Sequence, residues 1–308
     1  MATTARVTDG TVWQHALMTD VDAVLDAHTP AAAVALEQAS KGDRWWRFHR
    51  AQCDMFAQNH SWAESEVYLS DPRLRLRVAH ARVLRGEHLA AQALLSEQPR
   101  DCAPEEVGFW SVPLRLEPWE ARHWNPDLLV HYREGGSSGS SGQTIRFPPE
   151  RLECPELLPA THFQGRTGKV ESLGAYGLSG WIEWVTTVYG TAEQAAAHQI
   201  EVGGCGHPTS EVRAAIVDFA SAYPALLGIF GGAAVYGGRV SESLGRLKVW
   251  RLLGELADSN VTADITSFVD RTRCVTWHHP CDEIWYLHLA MEDPSRGISW
   301  VLDGQDFD

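Results

Sequence analysis

From about residue 20 to 98, apolar side chains return at helical spacing: Val21, Val24 and Leu25, then the alanine-rich stretch 30–39. The sharpest instance begins at Leu74. Leu74, Val78, Ala81 and Val83-Leu84 lead through Gly86 to Leu89, Ala90, Ala93 and Leu94, predicting two antiparallel helices in close contact. Between Pro99 and Pro159 prolines interrupt the chain and the period fades, leaving only 128–132 and 144–147 as short strand-like runs. Trp181–Tyr189 is rich in aromatic and β-branched residues, as strands are, yet Trp181, Trp184, Val185 and Val188 also fit one helical face. After Pro208 the pattern predicts helices over about 209–222, 223–235, 241–257 and 262–270, the first capped by Thr209 or Ser210. The third is capped by Ser241 and buries Leu244, Leu247, Trp250, Leu253 and Leu256. The tail then alternates. Trp285, Leu287, Leu289 and Met291 share a face, Asp293–Gly297 turns, and Ile298–Leu302 returns as a second strand.

This pattern predicts an α-rich α+β fold: a helical N-terminal region (1–100), an irregular Pro-rich connecting region (101–160), and a C-terminal domain (161–308). That last domain is expected to be a helical bundle with a terminal β-hairpin. Within the middle region, residues 135–142 are all Gly and Ser, the composition of a flexible linker, whether native to the chain or inserted.

Composition narrows the function classes. The 308 residues carry a formal net charge of -14 and no Lys/Arg-rich run, which argues against nucleic-acid binding. Lysine occurs only at positions 41, 169 and 248, and alanine is abundant, which suggests a GC-rich bacterial genome. The N-terminus lacks the apolar core of a signal peptide, and no run reaches the ~18 to 20 apolar residues of a membrane span. A cytoplasmic protein without membrane contact is expected. Six cysteines stand singly with no Cys-x-x-Cys pair, so reduced, mostly buried thiols are expected.

Two stretches resemble known patterns. Ala81–Leu95 resembles the turn of a tetratricopeptide-type repeat, but no second copy follows at the ~34-residue period, and an isolated helical hairpin is the expectation. Ile229–Gly238, followed by Leu244-Gly-Arg-Leu-Lys-Val-Trp-Arg-Leu-Leu253, resembles the signature of an uncharacterised actinobacterial family, domain of unknown function 6183. Members of that family show a Gly-Gly-Ala-Tyr-like turn, a Gly-Arg-Leu-x-x-Trp helix and a Trp-containing terminal hairpin. The resemblance covers residues 200–308, with Ala233-Ala234-Val235-Tyr236 longer than the family's turn, and it implies no catalytic residue.

Candidate chemistry concentrates in two places. Trp277-His-His-Pro-Cys-Asp-Glu-Ile-Trp-Tyr-Leu-His288 puts three imidazoles, a thiol and two carboxylates beside two tryptophans. Zinc would want three or four of these at tetrahedral geometry. No His-Glu-x-x-His or Cys-x-x-Cys spacing supports it, so neither metal nor other cofactor is expected. The same residues could instead cap turns while Trp277 and Trp285 fill the core, or they could move protons. Gly203-Gly-Cys-Gly-His-Pro208 sets Cys205 on a glycine-rich turn before an expected helix, where a thiol is activated; His207 stands two residues on. A tight loop with a buried cysteine is the plainer alternative. Gly231-Gly232 and Gly237-Gly238 fit no phosphate-loop spacing and suit close helix packing, while Arg239 and Arg246 have forks that match a carboxylate or phosphate.

Two functions follow. The first is an enzyme acting on a small molecule or peptide by acid/base or cysteine chemistry. Cys205, His207, His278, His279, Asp282 and Glu283 would be its catalytic groups, and Tyr236, Arg239, Arg246, Trp277 and Trp285 its substrate-binding ones. The second is a non-catalytic interaction module, an adaptor or toxin-neutralising partner, that meets its protein partner through the N-terminal helices.

Overall fold

A computed structural model describes residues 29–40, 51–90, 92–102, 104–133, 136–138, 168–169, 182–203, 212–232, 241–279 and 286–305. The fold is α+β and rich in helix. Four N-terminal helices, α1 (Thr29–Ser40), α2 (Gln52–Asn59), α3 (Trp62–Tyr68) and α4 (Pro72–Leu84), bury Leu36, Met55, Phe56, Leu74 and Val78 among themselves. Ser61 and Glu64 close a reciprocal capping box on α3, and Asp71 with Pro72 starts α4. The expected partner helix after Gly86 is only a 3₁₀ turn, Gln92–Ser96. In the middle region His131–Arg133 (β1) pairs antiparallel with Gly136–Ser138 (β2), so three residues of the Gly/Ser run form a ladder; 139–142 and the strand-like 144–147 lie outside the described residues.

The C-terminal hairpin is the centre of a larger sheet. Gly168–Lys169 (β3), Ile182–Tyr189 (β4), Arg213–Val217 (β5), Arg273–His278 (β6), Tyr286–Asp293 (β7) and Ile298–Gln305 (β8) form a fully antiparallel sheet in the order β3-β4-β8-β7-β6-β5. The strand alternative holds for 182–189. The helix expected over 209–222 is corrected: the described part is β5 followed by the start of a helix. Ala214 and Ala215 are good helix formers, but Val275 and Cys274 supply ladder partners for Ile216 and Val217. Asp218 then begins α6 (Phe219–Gly231) by accepting the Ser221 amide at 2.8 Å. That helix ends four residues before the expected 235, because Gly232 takes a left-handed φ of 105° as its C-cap.

Each sheet face has its own cover, as a two-residue side-chain period requires. Leu287, Leu289, Met291, Trp300 and Leu302 face α6, α7 (Glu242–Ala257) and α8 (Thr262–Arg271). Val275, Trp277, Ala290 and Val301 face Ala192, Ala195, Ala196 and Ile200 of α5 (Ala192–Gly203). Ser241 caps α7 through the Leu244 amide as expected. Yet α7 is buried almost all round: beyond its leucine stripe, Glu242, Ser243, Arg246 and Val249 are all inside. It crosses α6 so tightly that a Cβ on Gly245 would stand 2.1 Å from the Leu227 carbonyl oxygen. Among the described residues no helix is long and apolar enough to cross a membrane.

Candidate functional site

The ladder pairs His288 of β7 with Asp303 of β8, so both side chains leave the same face of the sheet, the face that α5 covers. His288 Nδ1 is hydrogen-bonded to Asp303 Oδ1, and Gln199 Nε2, about one turn before the end of α5, donates to Asp303 Oδ2. Both carboxylate oxygens are therefore held. A carboxylate only accepts, so the contact orients the ring with Nδ1 as the donor. The Thr276 hydroxyl donates to the His288 carbonyl oxygen at 2.7 Å and fixes the backbone beneath the ring.

Aromatic and imidazole rings surround the pair. Trp277 stacks on His288 at 5.3 Å between centroids, Tyr286 stacks at 5.4 Å, and His279 meets His288 edge-on at 5.2 Å. His278 tilts against Tyr286 at 5.1 Å. His279, His288 and Asp303 are buried, whereas Tyr286 and His278 are half-buried. The Trp277 indole N–H is buried without a hydrogen-bond partner among the described residues. A buried carboxylate oriented on an imidazole, a second imidazole at its edge and a donor in reserve can together accept, hold and return a proton. Among the described residues no three His, Cys, Asp or Glu side chains are placed to hold a metal ion.

Of the residues expected to carry chemistry, the structure brings His278, His279 and Trp277 to this end of the sheet. Cys205, His207, Asp282 and Glu283 lie outside the described residues, as do Tyr236, Arg239 and Trp285. The chain leaves α5 at Gly203, about one turn past Gln199. It rejoins the described residues at Val212, beside Arg213, the ladder partner of His278.

Arg246 is a correction. Its fork was expected to meet a ligand, but it is wholly buried and its N–H groups are taken by the protein. Nε and Nη2 donate to the two oxygens of Glu120 at 2.8 Å, and Nη1 and Nη2 donate to the carbonyls of Pro113 and Arg115. Nη1 also meets His80 Nδ1 at 2.5 Å. Tyr223 and Trp250 add donors to the same Glu120 oxygen. This network ties the middle segment and α4 to α7 and has no donor left for an anion.

Sequence reasoning missed Gln199, Asp303 and the central place of His288. One signal was available: His288 and Asp303 share the inward phase of Ala290 and Val301 on their strands, and polar residues at core-facing positions need a reason. A family model described as a family of unknown function, DUF6183, matches residues 1–294. The resemblance first read in residues 200–308 therefore extends over nearly the whole chain. No curated protein and no solved structure matches.

Proposed function

The chain belongs to DUF6183, a family of unknown function, and from its geometry we propose that it is a bacterial cytoplasmic enzyme acting on a small molecule or peptide by acid/base chemistry. The observation that carries this reading is the Gln199–Asp303–His288 chain beside His279. Asp303 orients His288, whose imidazole takes a substrate proton and later returns it. His279 is the second proton carrier, and the Trp277 N–H is a donor for a substrate carbonyl or oxyanion. Cys205 and His207, which lie between α5 and β5 in the sequence, are the nucleophile and its base if the reaction passes through a covalent step. Incubation with a bacterial metabolite and peptide extract, followed by mass spectrometry, tests the reading. A compound consumed by the wild type and spared by a folded His288→Asn variant supports it. Equal consumption by both refutes it.

One observation favours the second reading, a protein partner on the N-terminal helices. Val34 of α1 and Val67 and Tyr68 of α3, two helices in contact, present large apolar side chains to solvent, Val67 being 73% exposed. A pull-down that loses its partner on Val67→Asp would move the function to that surface.

A further inference from the structure

Helix α2 is hydrogen-bonded to the first turn of α7 through one buried carboxylate. Asp54 of α2 is wholly buried. It accepts the Ser241 hydroxyl at 2.6 Å, the Ser243 hydroxyl at 2.9 Å and the Ser243 amide at 2.9 Å, 187 and 189 positions along the chain. These donors sit at the first turn of α7, where amides without helical partners favour negative charge. Glu242, between the two serines, is 1% exposed. Its Oε1 accepts the Val130 amide at 2.9 Å, and its Oε2 is buried with no hydrogen-bond partner among the described residues. Of the four carboxyl oxygens in this pair, that one alone lacks a donor among the described residues.

We infer that Glu242 and Asp54 form a proton-controlled latch between the N-terminal helices and α7, closed when Glu242 Oε2 is protonated and loosened when it ionises. Two carboxylates in a dry site cannot both be charged cheaply. Asp54 accepts three donors, so the proton belongs on Glu242. The charged groups facing Glu242 agree. Asp54 comes from α2, and Arg85, just past the end of α4, is the cation that offsets it in part. Arg77 of α4 reaches the site at Ser241 Oγ, 3.4 Å away. Burial first, and then the Asp54 charge, raise the Glu242 carboxyl from 4.5 to about 7. A group whose pKa is higher in the closed form than in the open one stabilises closure fully below the open value. That stabilisation is lost as pH rises from about 4.5 through about 7. The latch therefore tightens on acidification from neutrality.

Hydrogen exchange of residues 52–59 in the full-length protein, corrected for intrinsic rate, tests this at about pH 5 and about pH 7.5. In the wild type, opening at the higher pH should exceed that at the lower pH by at least about tenfold. Glu242→Gln keeps the neutral shape and the acceptor for Val130, so its ratio should fall close to one. Equal ratios in the two proteins overturn the latch. If Glu242→Gln does not fold, isotope-edited infrared spectroscopy of the wild type decides. A protonated glutamate carboxyl should persist at about pH 6, where ordinary glutamates are ionised, and vanish by about pH 8. Its absence at about pH 6 overturns the inference equally.

Discussion

Arg246 and Glu120, 126 positions apart, meet through two parallel hydrogen bonds of 2.8 Å with neither side chain exposed to solvent. A buried pair of this kind is held in place by what breaking it would cost more than by what forming it contributes. Glu120→Ala should destabilise the protein by about 3 to 5 kcal/mol, because it strands the Arg246 charge and removes the acceptor for Tyr223 and Trp250. Urea unfolding measures this. A loss under about 1 kcal/mol would show that the network is peripheral to stability.

Gly245 should not tolerate a side chain. The Leu227 oxygen and the Gly231 amide nitrogen, 2.1 and 2.9 Å from where a Cβ would stand, are both backbone atoms that cannot swing aside. Gly245→Ala should therefore force α6 and α7 apart and cost about 1 to 3 kcal/mol, although alanine is the better helix former. Thermal unfolding with unchanged or raised stability would show that the two helices separate freely.

How much of this was legible in the sequence follows from which interactions are local. The cap at Ser241, the α7 stripe and the Asp293–Gly297 turn are written within a few residues and were readable. The sheet was not. Ile216 and Val217 are a strand because Cys274 and Val275 stand opposite, and no local period states that. Arg246 looked like a surface fork because an amphipathic reading gives a helix one buried side, whereas α7 is enclosed on nearly all sides. The candidate site was half visible: His278 and His279 announced themselves by density, but Asp303 and Gln199 join them only through strand pairing and the docking of α5.

His80 makes stability acid-sensitive. Burial first, and then the Arg246 charge, hold its imidazole well below the usual 6.5. A histidine whose folded pKa is depressed stabilises the fold above the unfolded value and loses that contribution as pH falls below about 6.5. Glu242 has the opposite sign, so the variant must isolate His80. His80→Gln retains an acceptor for Arg246 and cannot be protonated in this range. Between about pH 6.5 and 5 the wild-type melting temperature should fall more steeply than that of His80→Gln; parallel slopes would rule His80 out as the cause.

The central claim is that His288, oriented by Asp303, carries protons in a reaction. With a compound that the wild type consumes, kcat/KM of Asp303→Asn is the most direct measurement, because asparagine keeps the shape and the contact to Gln199 while withdrawing the charge that orients His288. A fall of about 10² to 10⁴ with an unchanged circular dichroism spectrum is the result the geometry predicts. A kcat/KM within about threefold of wild type, in a protein equally folded, would contradict it and leave His288 and Asp303 as a buried pair that only stabilises the sheet.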